Sequence, residues 1–385
     1  MKKQFIFAFL AAAFAFAAAG TGGASTQSPK AASTALVTCG KTRTIGLMAP
    51  ITGPAASIGT LQVKWVQFYV SRYNRSHKTK FKLVREDTQL GGPNGNAEAL
   101  KGAQALKGNS KVLGVVGPAG SNEVKGTTST LKGAGLAFVS GSATNTTLTT
   151  DGTRTGYFFR TVPPDAQQSK SVSRFIVSKL KYKRVYIVDD QEAYSTGLAD
   201  EVQAQLRAAG VTVNRDGVSQ QQSDFSSLIA KISRDTQLVY LPWQLAPKAQ
   251  AFGQQMRQAG KANIKLMGSD GLFAPEFESL NGVYDSFFPI QPTDATIKAY
   301  QRSHGGSGDF FGAPSYVAAQ VIGGAIDRAC KDGRATRAEV RGQVARTKLK
   351  KTLLGLPVRF TRGGDIRGGV FGIYQSKSGK FARIA

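Results

Sequence analysis

Short apolar runs alternate along most of this chain with longer stretches whose apolar positions recur at helical spacing. The runs Thr42–Ala49, Phe81–Glu86, Val112–Val116 and Leu136–Val139 predict strands, and the stretches Ser57–Asn74, Ala97–Lys107 and Val124–Lys132 between them predict helices. Strand and helix in regular turn mean βα units around a parallel sheet. The rhythm breaks after a strand at Tyr157–Thr161, where Val162-Pro163-Pro164-Asp165 suits neither element. It then restarts with a helix at Gln168–Lys179 and a strand at Arg184–Val188. Helices at Gly197–Ala209, Phe225–Ile232 and Lys248–Ala259 alternate with strands at Val211–Gly217, Leu238–Leu241 and Lys265–Met267. A pattern that repeats after a proline break predicts two similar α/β lobes rather than one large sheet.

Phe288-Pro289-Ile290-Gln291-Pro292 has the look of a second crossing between lobes. Helices follow at Asp294–Arg302, Tyr316–Lys331 and Thr336–Arg346, and the Gly-rich tail from Leu354 to Ile384 crosses back once more. The expected division is lobe 1 at 42–161 plus 291–350 and lobe 2 at 162–290 plus 351–385. A cleft between lobes joined in this way is a usual site for a small ligand.

The first residues change the picture. Lys2 and Lys3 precede an uncharged run from Phe5 to Ala19 that ends in Ala17-x-Ala19, the form of a secretory signal, assigned to residues 1–24. The run is too short to span a bilayer comfortably, and no later stretch is apolar enough to do so. Residues 25–41 read as a flexible tether. The product is expected to be exported, to the periplasm or the outer face of the cell envelope. An exported chain with one pair of cysteines, Cys39 and Cys330, invites a disulfide. Two free thiols remain open, as does a lipid on Cys39, although Leu36-Val37-Thr38 lacks the small residues that a lipid-attachment site wants. The net charge of +26 is spread along the chain without a basic run or nucleic-acid fingerprint, so it reads as a solvated surface.

Candidate chemistry lies where two strand patterns run out into small polar residues: Gly117-Pro118-Ala119-Gly120-Ser121-Asn122 and Val139-Ser140-Gly141-Ser142-Ala143-Thr144-Asn145. Ligands collect at the carboxyl ends of parallel strands, and such residues leave N–H and O–H groups free for a carboxylate. They also suit plain strand-to-helix turns. Catalysis has little to stand on. Nucleophile-elbow, phosphate-loop and dinucleotide fingerprints are missing, and His77 and His304 sit in polar settings. No cluster has metal-ligand spacing. Asp189-Asp190 is an acid–base candidate, but more simply ends a strand and begins a helix.

Further marks appear in order: Ile45-Gly46-Leu47 with Thr52-Gly53-Pro54, Phe159-Arg160-Thr161-Val162-Pro163-Pro164-Asp165-x-Gln167, and Asp189-Asp190-x-x-x-Tyr194-x-x-Gly197. Asp224-Phe225-Ser226-x-Leu228-Ile229, Met267-Gly268-Ser269-Asp270-Gly271, Gly355-Leu356-Pro357-Val358-x-Phe360 and Gly372-Ile373-Tyr374-Gln375 complete them. With these marks the chain resembles, over roughly Thr44 to Lys380, the substrate-binding proteins of branched-chain amino-acid transport, the leucine/isoleucine/valine-binding type. The resemblance implies a type I periplasmic-binding-protein-like fold: α/β, two doubly wound lobes with a central parallel sheet each, joined by three crossings. It implies a monomer that captures a small, aliphatic amino acid by hinge closure and serves the permease of an ABC importer. It implies no cofactor and no catalysis. Ligand sensing through a receptor, and binding of amine-free carboxylates such as aromatic acids, stay open as alternatives.

By the resemblance, Ser121 holds the ligand carboxylate, and Ser142 with Thr144 grips carboxylate and ammonium. Asp270 faces the ammonium, which needs a counter-charge once buried. Tyr194 closes over the ligand from the second lobe, and Trp243 falls within about one residue of a second-lobe aromatic position. Asn122 and Phe311 join the set, and Tyr316 is a further candidate for the pocket wall. Two departures concern the side-chain pocket: Ile58 stands at an aromatic position of the first loop, and Asp270 is shorter than the expected Glu.

Overall fold

The computed structural model describes residues 36–289, 294–305 and 310–385. The expected signal peptide and the tether up to residue 35 lie outside the described residues. The end of that tether is not free. β1 (Val37–Thr38) pairs antiparallel with Arg334–Ala335, and Cys39 is bonded to Cys330, with the two Cα atoms 5.7 Å apart. A Ser/Thr/Ala-rich setting hides this short β-branched pair from a compositional reading.

β2 (Thr42–Ala49), β3 (Lys80–Asp87), β4 (Val112–Val116), β5 (Phe138–Ser140) and β6 (Phe158–Arg160) form a parallel sheet in the order β3-β2-β4-β5-β6. β4 is central and every residue in it is buried, which is why it reads as an unbroken apolar run. β3 lies at the edge and exposes Lys80, Lys82 and Arg85, charges that discourage pairing with another chain. Helices Ala56–Ser76 and Gly312–Ala329 bury Trp65, Val66, Val317 and Ile322 in the core of this lobe.

β7 (Arg184–Asp189), β8 (Thr212–Gly217), β9 (Leu238–Leu241), β10 (Lys265–Gly268) and β11 (Tyr284–Phe287) build the second sheet in the order β8-β7-β9-β10-β11. The winding is that of the first sheet, strand for strand. The chain then returns to lobe 1, where β12 (Arg334–Ala335) is the partner of β1, and ends with β13 (Gly372–Lys377) and β14 (Lys380–Arg383). These last two extend the second sheet antiparallel from β11.

The tail departs from the expected division. Leu353, Leu354, Val358, Phe360 and Ile366 are buried in the core of lobe 1, not lobe 2. Bridges Leu349–Val358 and Phe360–Ile366 fold this segment on itself, so the chain crosses to lobe 2 after Ile366 rather than at residue 351. Isolated apolar residues among glycines have no period, and nothing local says which core they join. Where the crossings gather, Val162, Phe273, Phe287, Phe288, Phe311 and Phe371 pack into one apolar cluster.

Candidate functional site

Both sheets reverse their strand order beside their first strand, β2 or β7, and at such a switch point the carboxyl ends leave a crevice. The two crevices face each other across a small cavity that both lobes line. Lobe 1 builds its side from the loops after β2, β3, β4 and β5. The turn after β4 begins at Gly117, whose φ is +96° and whose Cβ, if present, would sit 2.1 Å from the carbonyl oxygen of Met48. Helix Ser121–Gly133 starts at the cavity wall with Gly120 as its cap. The Gly120 N–H donates to Glu123 Oε2 at 2.8 Å, and burial raises the Glu123 carboxyl to about 7. The first N–H groups of a helix have no partner within it and favour an anion.

Ser121 lines the cavity at this helix start. Its Oγ accepts the Asn145 N–H at 3.2 Å, so its own proton stays available for an acceptor. The Ser142 hydroxyl is more committed: it donates to Ala119 O at 2.8 Å and accepts from Gln62 Nε2 at 2.8 Å. One lone pair remains for a ligand donor. Arg160, fully buried, holds the loop that carries these residues. It donates to the carbonyls of Ala143 (3.3 Å) and Asn145 (2.9 Å), to Thr149 Oγ1 (2.8 Å) and to Asp365 Oδ1 (2.6 Å). Ile58, Leu90, Ala119 and Phe311 supply an apolar wall.

Lobe 2 answers with Tyr194 after β7, Gln244 after β9, and Asp270 with Gly271 after β10. The Tyr194 hydroxyl donates to Asp270 Oδ1 at 2.6 Å and lies 2.7 Å from Ser269 Oγ. Asp270 is 2% exposed, and no cation pairs with it among the described residues. Burial pushes its carboxyl up to about 6, against hydrogen bonds from Tyr194 and Gln168 that pull it down. Asp165 and Asp285 are buried close behind. Burial first, and then the charge of Asp270, raises both well above the usual carboxylate range, so Asp270 carries the negative charge of the group. Together the lobes offer hydroxyl and helix-start donors on one side and, on the other, a carboxylate with no cation beside it among the described residues.

The family model for periplasmic binding proteins matches residues 42–378. The chain belongs to that family. It is 29% identical over 353 residues to the Leu/Ile/Val-binding protein BraC3 of Rhizobium johnstonii, covering 88% of this chain and 92% of that one. In fold it is similar to a leucine-binding protein of Thermotoga maritima, with a TM-score of 0.80 at 21% identity over 89% of this chain and 98% of that one. A branched-chain amino-acid transporter substrate-binding protein of Streptococcus pneumoniae, solved with isoleucine, gives 0.77 at 24% identity with the same coverage of both chains. The two-lobed α/β architecture expected from the strand rhythm is the one these structures share. This periplasmic binding protein is a binder, not an enzyme.

Six of the residues singled out from sequence meet at the cavity of this binding protein: Ile58, Ser121, Ser142, Tyr194, Asp270 and Phe311. Others do not. Thr144 is fully buried one layer back, its hydroxyl without a partner among the described residues. Asn122 lines a separate, polar part of the cleft mouth, its amide donating to Asn96 Oδ1 at 3.1 Å. Tyr316 lies on the outer side of its helix against Phe68 and Tyr69. Trp243 points into the lobe 2 core, packed on Phe225 and Phe252, with Nε1 donating to Val188 O at 2.7 Å. Its neighbour Gln244 takes the cavity position, so the expected register was off by one residue. The acidic pair is structural. Asp189 binds Arg215 at 2.8 Å, and Asp190 accepts from Gln220 Nε2 (2.8 Å) and from the N–H groups of Gln244 and Glu192 (3.1 Å each). Leu90, Gln244 and Gly271 were missed because their part depends on the facing lobe.

Contacts across the cleft show how the lobes meet. Asn145 Nδ2 donates to Ala193 O at 2.6 Å, and Gln221 Nε2 to Gly91 O at 3.2 Å, while Ala55, Leu90 and Leu245 form an interlobe apolar cluster. Gly197 makes the first contact fit, because a Cβ there would lie 2.3 Å from Asn145 Nδ2. Gly197→Ala is expected to weaken ligand affinity about tenfold or more by opposing closure. Titration calorimetry checks this, with an unchanged melting temperature of the ligand-free form showing that the fold survives. A second expectation concerns stability. The Asp270 carboxyl ordinarily titrates at 3.8 and here at about 6, so unfolded chains give up the proton first and stability falls as pH rises between those values. Asp270→Asn should therefore stabilise the ligand-free protein at neutral pH, and much less near pH 4. Thermal unfolding of both proteins across that range checks it.

Proposed function

We propose that this protein captures a small α-amino acid between its lobes and delivers it to the membrane permease of an ABC importer, working as an exported monomer. The observation that carries the reading is the buried, cation-free carboxylate of Asp270 opposite a helix start that offers N–H donors and the Ser121 hydroxyl. A ligand that is cationic at one end and anionic at the other satisfies both. A carboxylate without an amine would leave Asp270 uncompensated beside it, which argues against aromatic or other amine-free acids. The narrow cavity and the apolar wall of Ile58, Leu90 and Phe311 suit a side chain of modest size. The name of the Rhizobium johnstonii relative, a Leu/Ile/Val-binding protein, points to the same class.

The mechanism is a hinge. Lobe 1 receives the carboxylate at the start of helix Ser121–Gly133. Lobe 2 then brings Tyr194 and Asp270 to the ammonium, and Asn145 with Ala193 and Gln221 with Gly91 hold the closed form. The apolar cluster at the crossings is the pivot. The expected signal peptide supports an extracytoplasmic place of work, and the closed, liganded form is what the permease receives.

Purified protein titrated with amino acids and amine-free carboxylates tests the reading. Binding of α-amino acids is expected, with Asp270→Asn costing about 2–5 kcal/mol of affinity because a desolvated charge pair is broken. Equal affinity in the variant, or binding confined to amine-free acids, overturns the assignment.

A further inference from the structure

The cavity has one polar side chain that the amino-acid reading leaves unused. Gln244 lines it and is 5% exposed, and its Nε2 is buried with no hydrogen-bond partner among the described residues. A buried donor left unmade is costly, so such a group marks a place where something is meant to accept from it. Gln244 is also held in place. Its backbone N–H donates to Asp190 Oδ2 at 3.1 Å, and the same oxygen takes the Gln220 amide at 2.8 Å. On one side Trp243 is anchored in the core by its bond to Val188 O, and on the other Leu245 packs against Ala55 and Leu90 of lobe 1. Between these two fixtures the Gln244 backbone has little freedom to withdraw its side chain from the cavity.

The rest of the lining divides by task. Ser121 and Ser142 serve the α-groups from lobe 1, and Tyr194 and Asp270 serve them from lobe 2. Ile58, Leu90, Ala119 and Phe311 are apolar and make the side-chain wall. Gln244 is the polar exception, on the strand end followed by the residue that meets Leu90. Resting on the amino-acid reading, we infer that Gln244 is a specificity residue whose amide donates to an oxygen on the ligand side chain. This selects a small side chain with a hydrogen-bond acceptor, hydroxyl or amide, over its aliphatic isostere. An aliphatic ligand would seal the Nε2 donor away from water without a partner, whereas a hydroxyl or carbonyl oxygen satisfies it.

Isosteric pairs separate this from simple burial. Threonine and valine, and asparagine and leucine, are titrated by calorimetry into the wild type, Gln244→Leu and Gln244→Met. The wild type should bind threonine over valine, and asparagine over leucine, by about tenfold or more. Gln244→Leu should erase or reverse both preferences while keeping valine and leucine affinity, which also shows that the variant folds. Gln244→Met, which removes the donor at similar length, should lose the preference as well. A wild type that favours valine and leucine overturns the inference. So does a variant that keeps the threonine preference, or one that loses affinity equally for all four ligands, since an equal loss would place the amide on the common carboxylate. Failure to bind any amino acid, with isoleucine and alanine added to the panel, overturns the reading on which it rests.

Discussion

A carboxylate taken out of water with no cation beside it is the constraint on which this site depends. Asp270 sits where β10 ends, and two further buried acids, Asp165 and Asp285, lie behind it. Ionising a second member of that group beside the first is strongly opposed, so a single negative charge faces the cavity. Tyr194 steadies it but cannot neutralise it. Carboxyl groups arranged in this way weaken the empty protein and reward whatever brings a positive charge. The binding energy and the instability of the free form thus have the same source. A site optimised for stability alone would have filled this position with something neutral.

The same winding, used twice, places the chemistry. In each lobe the cavity takes residues that follow the first, third and fourth strands in chain order: Ile58, Ser121 and Ser142 in lobe 1, and Tyr194, Gln244 and Asp270 in lobe 2. Equivalent loops carry opposite charge preferences, donors facing an acceptor. Arg160 links this geometry to the hinge. It stands at the end of β6, just before the first crossing, holds the carbonyls of the Ser142 loop, and pairs with Asp365 of the returning tail. A buried guanidinium with its donors spread over three segments fixes a loop more firmly than backbone pairing alone.

Most of the fold was legible because parallel strands buried on both faces leave apolar runs, and Val112–Val116 or Leu238–Leu241 can hardly be read otherwise. The tail was not, since Leu353, Val358 and Phe360 join lobe 1 through contacts that carry no local signature. At the site, Ser121 stands in a small polar run after a strand, whereas Asp270 was expected from the family resemblance, because Ser269-Asp270-Gly271 by itself reads equally as a turn. Trp243 and Gln244 show the limit: both lie in the turn that follows β9, where one residue decides between core and cavity. Tryptophan is the conspicuous residue of the pair, yet its indole N–H finds the Val188 carbonyl in the core, and the less conspicuous glutamine meets the ligand space. Thr144 belongs to the loop that Arg160 holds, but its side chain is buried away from the cavity.

The central claim is that a ligand ammonium pairs with the Asp270 carboxylate and holds it ionised to lower pH. Calorimetry of amino-acid binding near pH 6, repeated in buffers of different ionisation enthalpy, counts the protons exchanged. Release of a substantial fraction of a proton at that pH, fading toward pH 8 and absent in Asp270→Asn, is the result this account requires. Binding with no proton release at pH 6, or with the same release in Asp270→Asn, would contradict it.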